Sequence, residues 1–176
     1  MPRHYFLLSF LLLFCISNAG MGQTEPKDKP NSIGVLIGHS IIPKGAKNGI
    51  TTAIITPSWA IDYNYALPTG ITLGWHNEII IESFEYESTE NQGIVIERSR
   101  PIASCITAGY QYKSILAYIG GGLETAKEGN YGLFRIGADY SLEMRWDMEF
   151  VMAVNWDLKV DAYDSYGISA GIAKRF

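Results

Sequence analysis

The chain has 176 residues, of which 14 are Lys or Arg and 18 are Asp or Glu, giving a net charge of −4. That mild acidity, with no basic cluster, excludes a nucleic-acid-binding face. Cys15 and Cys105 are too few for a disulfide scaffold, and the length suits one domain behind an export leader.

Arg3 and His4 precede an apolar run over 5–16, and Ser17-Asn18-Ala19 supplies small residues at the spacing a signal peptidase reads. The run is shorter than the ~20 residues a membrane helix needs. Residues 1–22 are therefore read as a cleaved signal peptide. Phe14, immediately before Cys15, argues against lipidation because a lipobox requires a small residue there. The polar stretch 23–31, with Pro26 and Pro30, reads as a flexible segment, and 32–176 as the folded domain.

Eight strand-like runs of alternating polarity follow. Ile33, Val35, Ile37 and Ile41 line one face of 33–41, with a longer connection expected over 42–57. Trp59, Ile61, Tyr63 and Tyr65 line one face of 58–67, and Pro68-Thr69-Gly70 makes a tight turn. Ile71, Leu73, Trp75 and Ile79 oppose Thr72, His76, Glu78 and Glu82 over 71–84, before a polar loop at 85–93. The run 94–110 is irregular, and Pro101 predicts a bulge or rim inside it. After a turn at 111–114, the Gly-rich run 115–125 and the run 131–142, with Phe134, Ile136 and Tyr140 opposite Arg135 and Asp139, are joined by 126–130. The clearest alternation lies between 145 and 159. There Trp146, Met148, Phe150, Met152, Val154 and Trp156 oppose Asp147, Glu149, Asn155 and Asp157. The last run, 165–176, sets Tyr166, Ile168, Ile172 and Phe176 against small residues and Arg175.

The faces decide the orientation. A soluble barrel would have to pack the Trp, Ile, Leu and Phe side chains inside and show water a face of Gly, Ser and Ala. Turned inside out, small residues fill a narrow lumen and large ones meet lipid. The alternation, the short second, fourth and sixth connections and the terminal Phe176 together resemble the small outer-membrane barrels of the OmpA and OmpX type. The resemblance spans the whole domain. It implies an all-β, eight-stranded antiparallel up-and-down transmembrane β-barrel with both termini periplasmic. It also implies assembly by the outer-membrane barrel machinery, with Tyr166 and Phe176 as the signal for it. The expected partners are outer-membrane lipids and that machinery, and a monomer is expected.

This orientation assigns Trp59, Trp75, Trp146, Phe150, Trp156, Ile168 and Ile172 to lipid, several of them in aromatic girdles. It assigns Asp62, His76, Glu78, Glu82, Glu124, Arg135, Asp139, Asp147 and Glu149 to a polar lumen network centred on Arg135, with Glu124 and Asp139 as its expected partners. Buried charges must be paired. Glu97, Arg145, Asp157 and Arg175 are expected on the same side. His76, Glu78 and Glu82 are metal-ligand types, but alternate strand positions lie ~7 Å apart, so no metal and no cofactor is assigned. His39 and Ser40 are neighbours on one strand and point to opposite faces, so no catalytic residue is assigned. The expected role is a structural or surface-interaction barrel with a largely filled lumen. A narrow cation-preferring pore, a lipid-modifying enzyme and a soluble periplasmic ligand-binding barrel are the alternatives.

Overall fold

Backbone pairing closes the chain on itself. In the computed structural model, which describes residues 29–47, 50–87 and 94–176, the elements are β1 (Asn31–Lys47), β2 (Ile50–Ala66), β3 (Ile71–Ile80), β4 (Phe84–Glu87), β5 (Val95–Arg98), β6 (Ile102–Tyr112), β7 (Ile115–Ala126), β8 (Gly129–Glu143), β9 (Met148–Lys159) and β10 (Asp164–Arg175). The signal peptide, 23–28 of the flexible segment, and 48–49 and 88–93 lie outside the described residues.

Neighbouring strands run antiparallel in the order β10-β9-β8-β7-β6-β3-β2-β1, and β1 pairs with β10 from Ser32↔Arg175 to Ile41↔Tyr166. Eight strands thus make a closed barrel with no free edge around its wall. The seam ends on a reciprocal backbone pair: Phe176 N donates to Asn31 O at 3.0 Å and Asn31 N to Phe176 O at 3.2 Å.

The alternation fixes the faces. Ile37, Trp59, Ile61, Trp75, Ile106, Ile119, Val154 and Ile168 are exposed around the outer wall, while Leu36, Ser58, His76, Cys105, Tyr118, Arg135 and Asp157 are buried inside. The barrel is therefore polar within and apolar without.

The turns at the end that carries the termini are short, as the sequence predicts. Gly70, at a φ of 85°, takes the left-handed conformation that lets the β2–β3 turn close, and its N–H donates to Leu67 O. Lys113 turns β6 into β7, and a single 3-10 turn at Arg145–Asp147 joins β8 to β9.

The opposite end, the mouth, differs from the expectation in two respects. The expected long connection at 42–57 is mostly strand: β1 and β2 continue to Lys47↔Ile50, with a bulge between Ile42 and Gly45 that accommodates Pro43. Ile50, Thr51, Thr52, Ile54 and Ile55 supply the β-branched run that sustains this extension. The fifth connection, read as 126–130, is a short turn, with only 127–128 between β7 and β8. Finally, the third connection holds a hairpin. The ladder breaks at 81–83 and again at 99–101, and β4–β5 leaves the wall. It folds over the mouth, where Tyr86 and Glu85 pair with Gly45 and Ala46 of β1.

Candidate functional site

The interior is the candidate site, and its polar groups form two clusters with a chamber beneath them. One cluster has one negative charge in excess and the other has one positive charge in excess, so that the two balance together. Arg135, on β8 next to the small residues of β7, sits at the centre. Its Nε donates to Asp157 Oδ1 at 2.6 Å and its Nη2 to Asp157 Oδ2 at 2.7 Å. A further bond from Nη2 reaches Glu78 Oε2 at 2.9 Å, from β3 across the lumen. Glu78 also accepts from the Ser40 hydroxyl at 2.6 Å, and Asn155 donates to Asp157 at 3.3 Å. A buried guanidinium is tolerated only with geometry of this kind.

A second cluster lies toward the mouth. Glu124 accepts from Arg98 Nη2 at 2.7 Å and from the Tyr163 hydroxyl at 2.9 and 2.8 Å, and it lies 3.4 Å from Lys159 Nζ. Arg98 stacks over Tyr131, 4.4 Å from the ring centroid. Above it an apolar lid closes the barrel: Ile42, Ile80, Phe84, Tyr86, Ala162 and Tyr163 pack together, with the Phe84 and Tyr163 rings edge to face. Burial pushes the Tyr163 phenol well above its ordinary ionisation range, and the Glu124 carboxylate pushes it further. Tyr86, bonded to the Tyr131 hydroxyl at 2.8 Å, is raised first by burial and then by that bond.

Toward the termini the lumen narrows past His76 and Tyr118, whose rings meet edge to face with centroids 4.7 Å apart. His76 Nε2 is bonded to Asn64 Oδ1 at 3.0 Å. Gly137 leaves the space that Tyr118 occupies, since a Cβ there would collide with the phenol. Below this layer Glu149 pairs with Arg175 at 2.6 Å.

Of the residues assigned to the lumen network, Asp62, His76, Glu78, Glu124, Arg135, Asp139 and Glu149 do point inward. Arg135 is central, but its partners are Glu78 and Asp157 instead of Glu124 and Asp139. Glu82 and Asp147 are corrections. Glu82 is exposed at the ladder break. Asp147 lies in the 3-10 turn, where it pairs at the surface with Lys29 at 2.5 Å and Lys174 at 3.5 Å. Arg145 is exposed in the same turn, and Glu97 faces outward on β5. Arg98, absent from the expected set, takes the inward place because the irregularity at 99–101, with Arg100 at a φ of 46°, shifts the phase of the strand by one residue. Tyr118, Lys159 and Tyr163 were also missed. The first two lie on the polar faces of recognised strands, and a loop Tyr gives no periodic signal.

Of the residues assigned to lipid, Trp59, Trp75, Phe150, Ile168 and Ile172 are exposed on the outer wall, and Trp156 stacks on Tyr166 with ring centroids 6.0 Å apart. Trp146 is 80% exposed but belongs to the turn, at a φ of 61°, and not to the strand. Ser40 faces the lumen and His39 the outer wall. His76, Glu78 and Glu82 do not converge, and no group of three or more His, Cys, Asp or Glu side chains among the described residues could hold a metal ion.

A closed eight-stranded antiparallel barrel, polar inside and apolar outside, matches a solved membrane barrel. Neisserial surface protein A superposes with a TM-score of 0.53 over 84% of this chain and 97% of its own, at 9% identity. This chain has the fold of the small eight-stranded outer-membrane barrels. Ail, the attachment invasion locus protein of Yersinia pestis, solved with the heparin analogue sucrose octasulfate, aligns over 81% of this chain and 98% of its own, at 9% identity and a TM-score of 0.46. No protein-family model and no curated protein sequence matches the chain.

Proposed function

We propose that this protein is a monomeric, integral outer-membrane barrel that acts as a structural or surface-interaction element and neither conducts nor catalyses. The observation that carries the reading is the inversion of polarity. Arg135, Glu124 and Asp157 are buried in the lumen, while Ile37, Trp59, Trp75, Ile106 and Ile168 stand exposed on a largely apolar outer wall. Water is a poor solvent for that wall and lipid a good one. Both termini and the short turns then face the periplasm, and the extended β1–β2 hairpin and the β4–β5 hairpin face outward. Residues 1–22 would direct export, and Tyr166 and Phe176 would be read by the assembly machinery.

A filled lumen is supported by the Arg135 cluster and by the lid of Phe84, Tyr86 and Tyr163 above it. The non-enzymatic reading is supported by Ser40, which is bonded to Glu78 and turned away from His39. Insertion of the folded protein into planar bilayers tests the role. A silent membrane is expected. Ohmic steps from the intact barrel would replace this reading with a pore.

A further inference from the structure

At the mouth one strand edge is bare. The β2–β3 ladder ends at Ser58↔Ile80, whereas β2 continues alongside β1 to Lys47↔Ile50. The last bond on the β3 side runs from Ile81 N–H to Pro57 O, at 3.1 Å. Backbone groups alternate in direction along a strand, so Ala53 and Ile55 turn their N–H and C=O to the same side as Pro57 O. No strand among the described residues pairs there, because the chain leaves the wall at 81–83 and forms β4 on the far side of β1. Exposed edges are usually blunted by Lys, Pro or a bulge. The stretch 50–56, Ile-Thr-Thr-Ala-Ile-Ile-Thr, carries no charge and no Pro, and the bulge opposite it lies in β1.

This edge forms one wall of a cleft of about 550 Å³. Four consecutive residues, 52–55, line that wall, as only a strand met edge-on can do. Glu82, Phe84, Glu85 and Glu97 line the other. Glu85 and Glu97 are exposed and stand directly opposite each other on β4 and β5, a like-charge pair that weakens the hairpin. Neither they nor Glu82 forms an ion pair among the described residues. Lys44 lines a separate cleft, with Asp161 and Asp164.

We propose that this cleft docks an extended, basic polypeptide segment from outside the cell, which adds to the edge of β2 as a further strand. Main-chain bonds to Ala53 and Ile55 hold it, and its side chains fall alternately on the two faces of the sheet, ~7 Å apart on each. On the face of Ile54, which packs against the lid, they are Lys or Arg and meet Glu82, Glu85 and Glu97. On the face of Ile55 they are apolar. A second copy of this chain does not suit the cleft, since it brings the same carboxylates with it. The proposal deepens the surface-interaction reading and rests on it for the side of the membrane from which the partner comes.

The test uses the folded full chain in detergent micelles and a labelled peptide of alternating Lys and Val, followed by fluorescence anisotropy. Saturable binding is expected. A peptide with Glu in place of Lys should not bind. The Lys-Val peptide methylated on every backbone nitrogen keeps its charge and loses its strand donors, and it should bind about tenfold more weakly. Glu85→Gln together with Glu97→Gln should weaken binding by about three- to tenfold. Glu143→Gln, at the other end of the barrel, should leave it unchanged. Ala53→Pro removes an N–H that β1 does not use and should abolish binding. Should that variant fail to fold, the methylated peptide still decides. Absence of saturable binding overturns the proposal, as does equal binding of the Lys and Glu peptides or of the methylated and unmethylated ones. A dimer of the barrel that Ala53→Pro dissolves would give the edge to a second copy and overturn it too. The membrane reading fails by different results, ohmic conductance or a soluble protein with no heat shift, so the two failures are distinct.

Discussion

Arg135 and Asp157 face each other directly across β8 and β9 and form a two-pronged ion pair, at 2.6 and 2.7 Å, in the lumen of the barrel. Glu78 reaches the same guanidinium from the far wall at 2.9 Å. One cation thus ties three strands together across the lumen.

Removing that cation while leaving its partners should be severe. Arg135→Met should destabilise the barrel by about 3–5 kcal/mol, because two buried carboxylates lose their counter-ion. Neutralising those partners as well, by Glu78→Gln and Asp157→Asn in the same chain, should recover much of the loss. Urea unfolding in lipid vesicles, followed by tryptophan fluorescence, measures both. A single variant within 1 kcal/mol of the parent, on the order of a surface change, would mean that the pair is not holding the wall.

The outer wall makes a separate prediction. Met152 points outward near the middle of β9, and Met152→Arg should cost about 2–4 kcal/mol if that position lies at the bilayer midplane. Trp146→Arg, in the exposed turn at the rim, should cost at most about 1 kcal/mol. The same unfolding assay compares them, and equal costs would place both residues at one depth.

Most of the wall was legible in the sequence because alternation is a local signal. Ile33, Val35 and Ile37 declare their face within five residues, and the position of Arg135 on the polar face of its strand follows from Phe134 and Ile136 beside it. Its partners were not legible, since Asp157 and Glu78 meet it through the register and curvature of the closed barrel. The phase also failed at 99–101, where the break in the strand moved the inward place from Glu97 to Arg98. The lid was hidden for another reason. Tyr86 reaches β1 by folding across the mouth, a non-local pairing that no pattern within 85–93 announces.

Alkaline pH should weaken the lid. The Tyr163 phenol, raised by burial and by Glu124, stays neutral in the folded barrel at a pH where an unfolded tyrosine, with its ordinary value near 10, ionises. The stabilisation from Tyr163 is therefore fully present below pH 10 and is lost as the pH climbs above it, toward the raised folded value. Tyr86 adds to the same effect. Phenolate absorbance should show fewer ionising tyrosines in the folded protein than in urea. Tyr163→Phe should make the fall in stability above pH 10 shallower, and an unchanged slope would count against the buried bond to Glu124.

The seam separates two roles of the last residue. Phe176→Ala keeps the reciprocal backbone bonds to Asn31 and removes only the ring, whereas deleting Phe176 removes both. Phe176→Ala should lower the amount of barrel assembled in cells and leave refolding in detergent close to that of the parent. Deletion should impair both. Equal assembly of Phe176→Ala and the parent would mean that the ring is not read during insertion.

The central claim is that the apolar wall meets lipid. It is tested most directly by the electrophoretic mobility, unheated and heated, of the protein extracted from outer-membrane fractions. A compact band in that fraction which shifts on boiling is the expected result. A protein recovered soluble from the periplasm, with one mobility before and after heating, would contradict it.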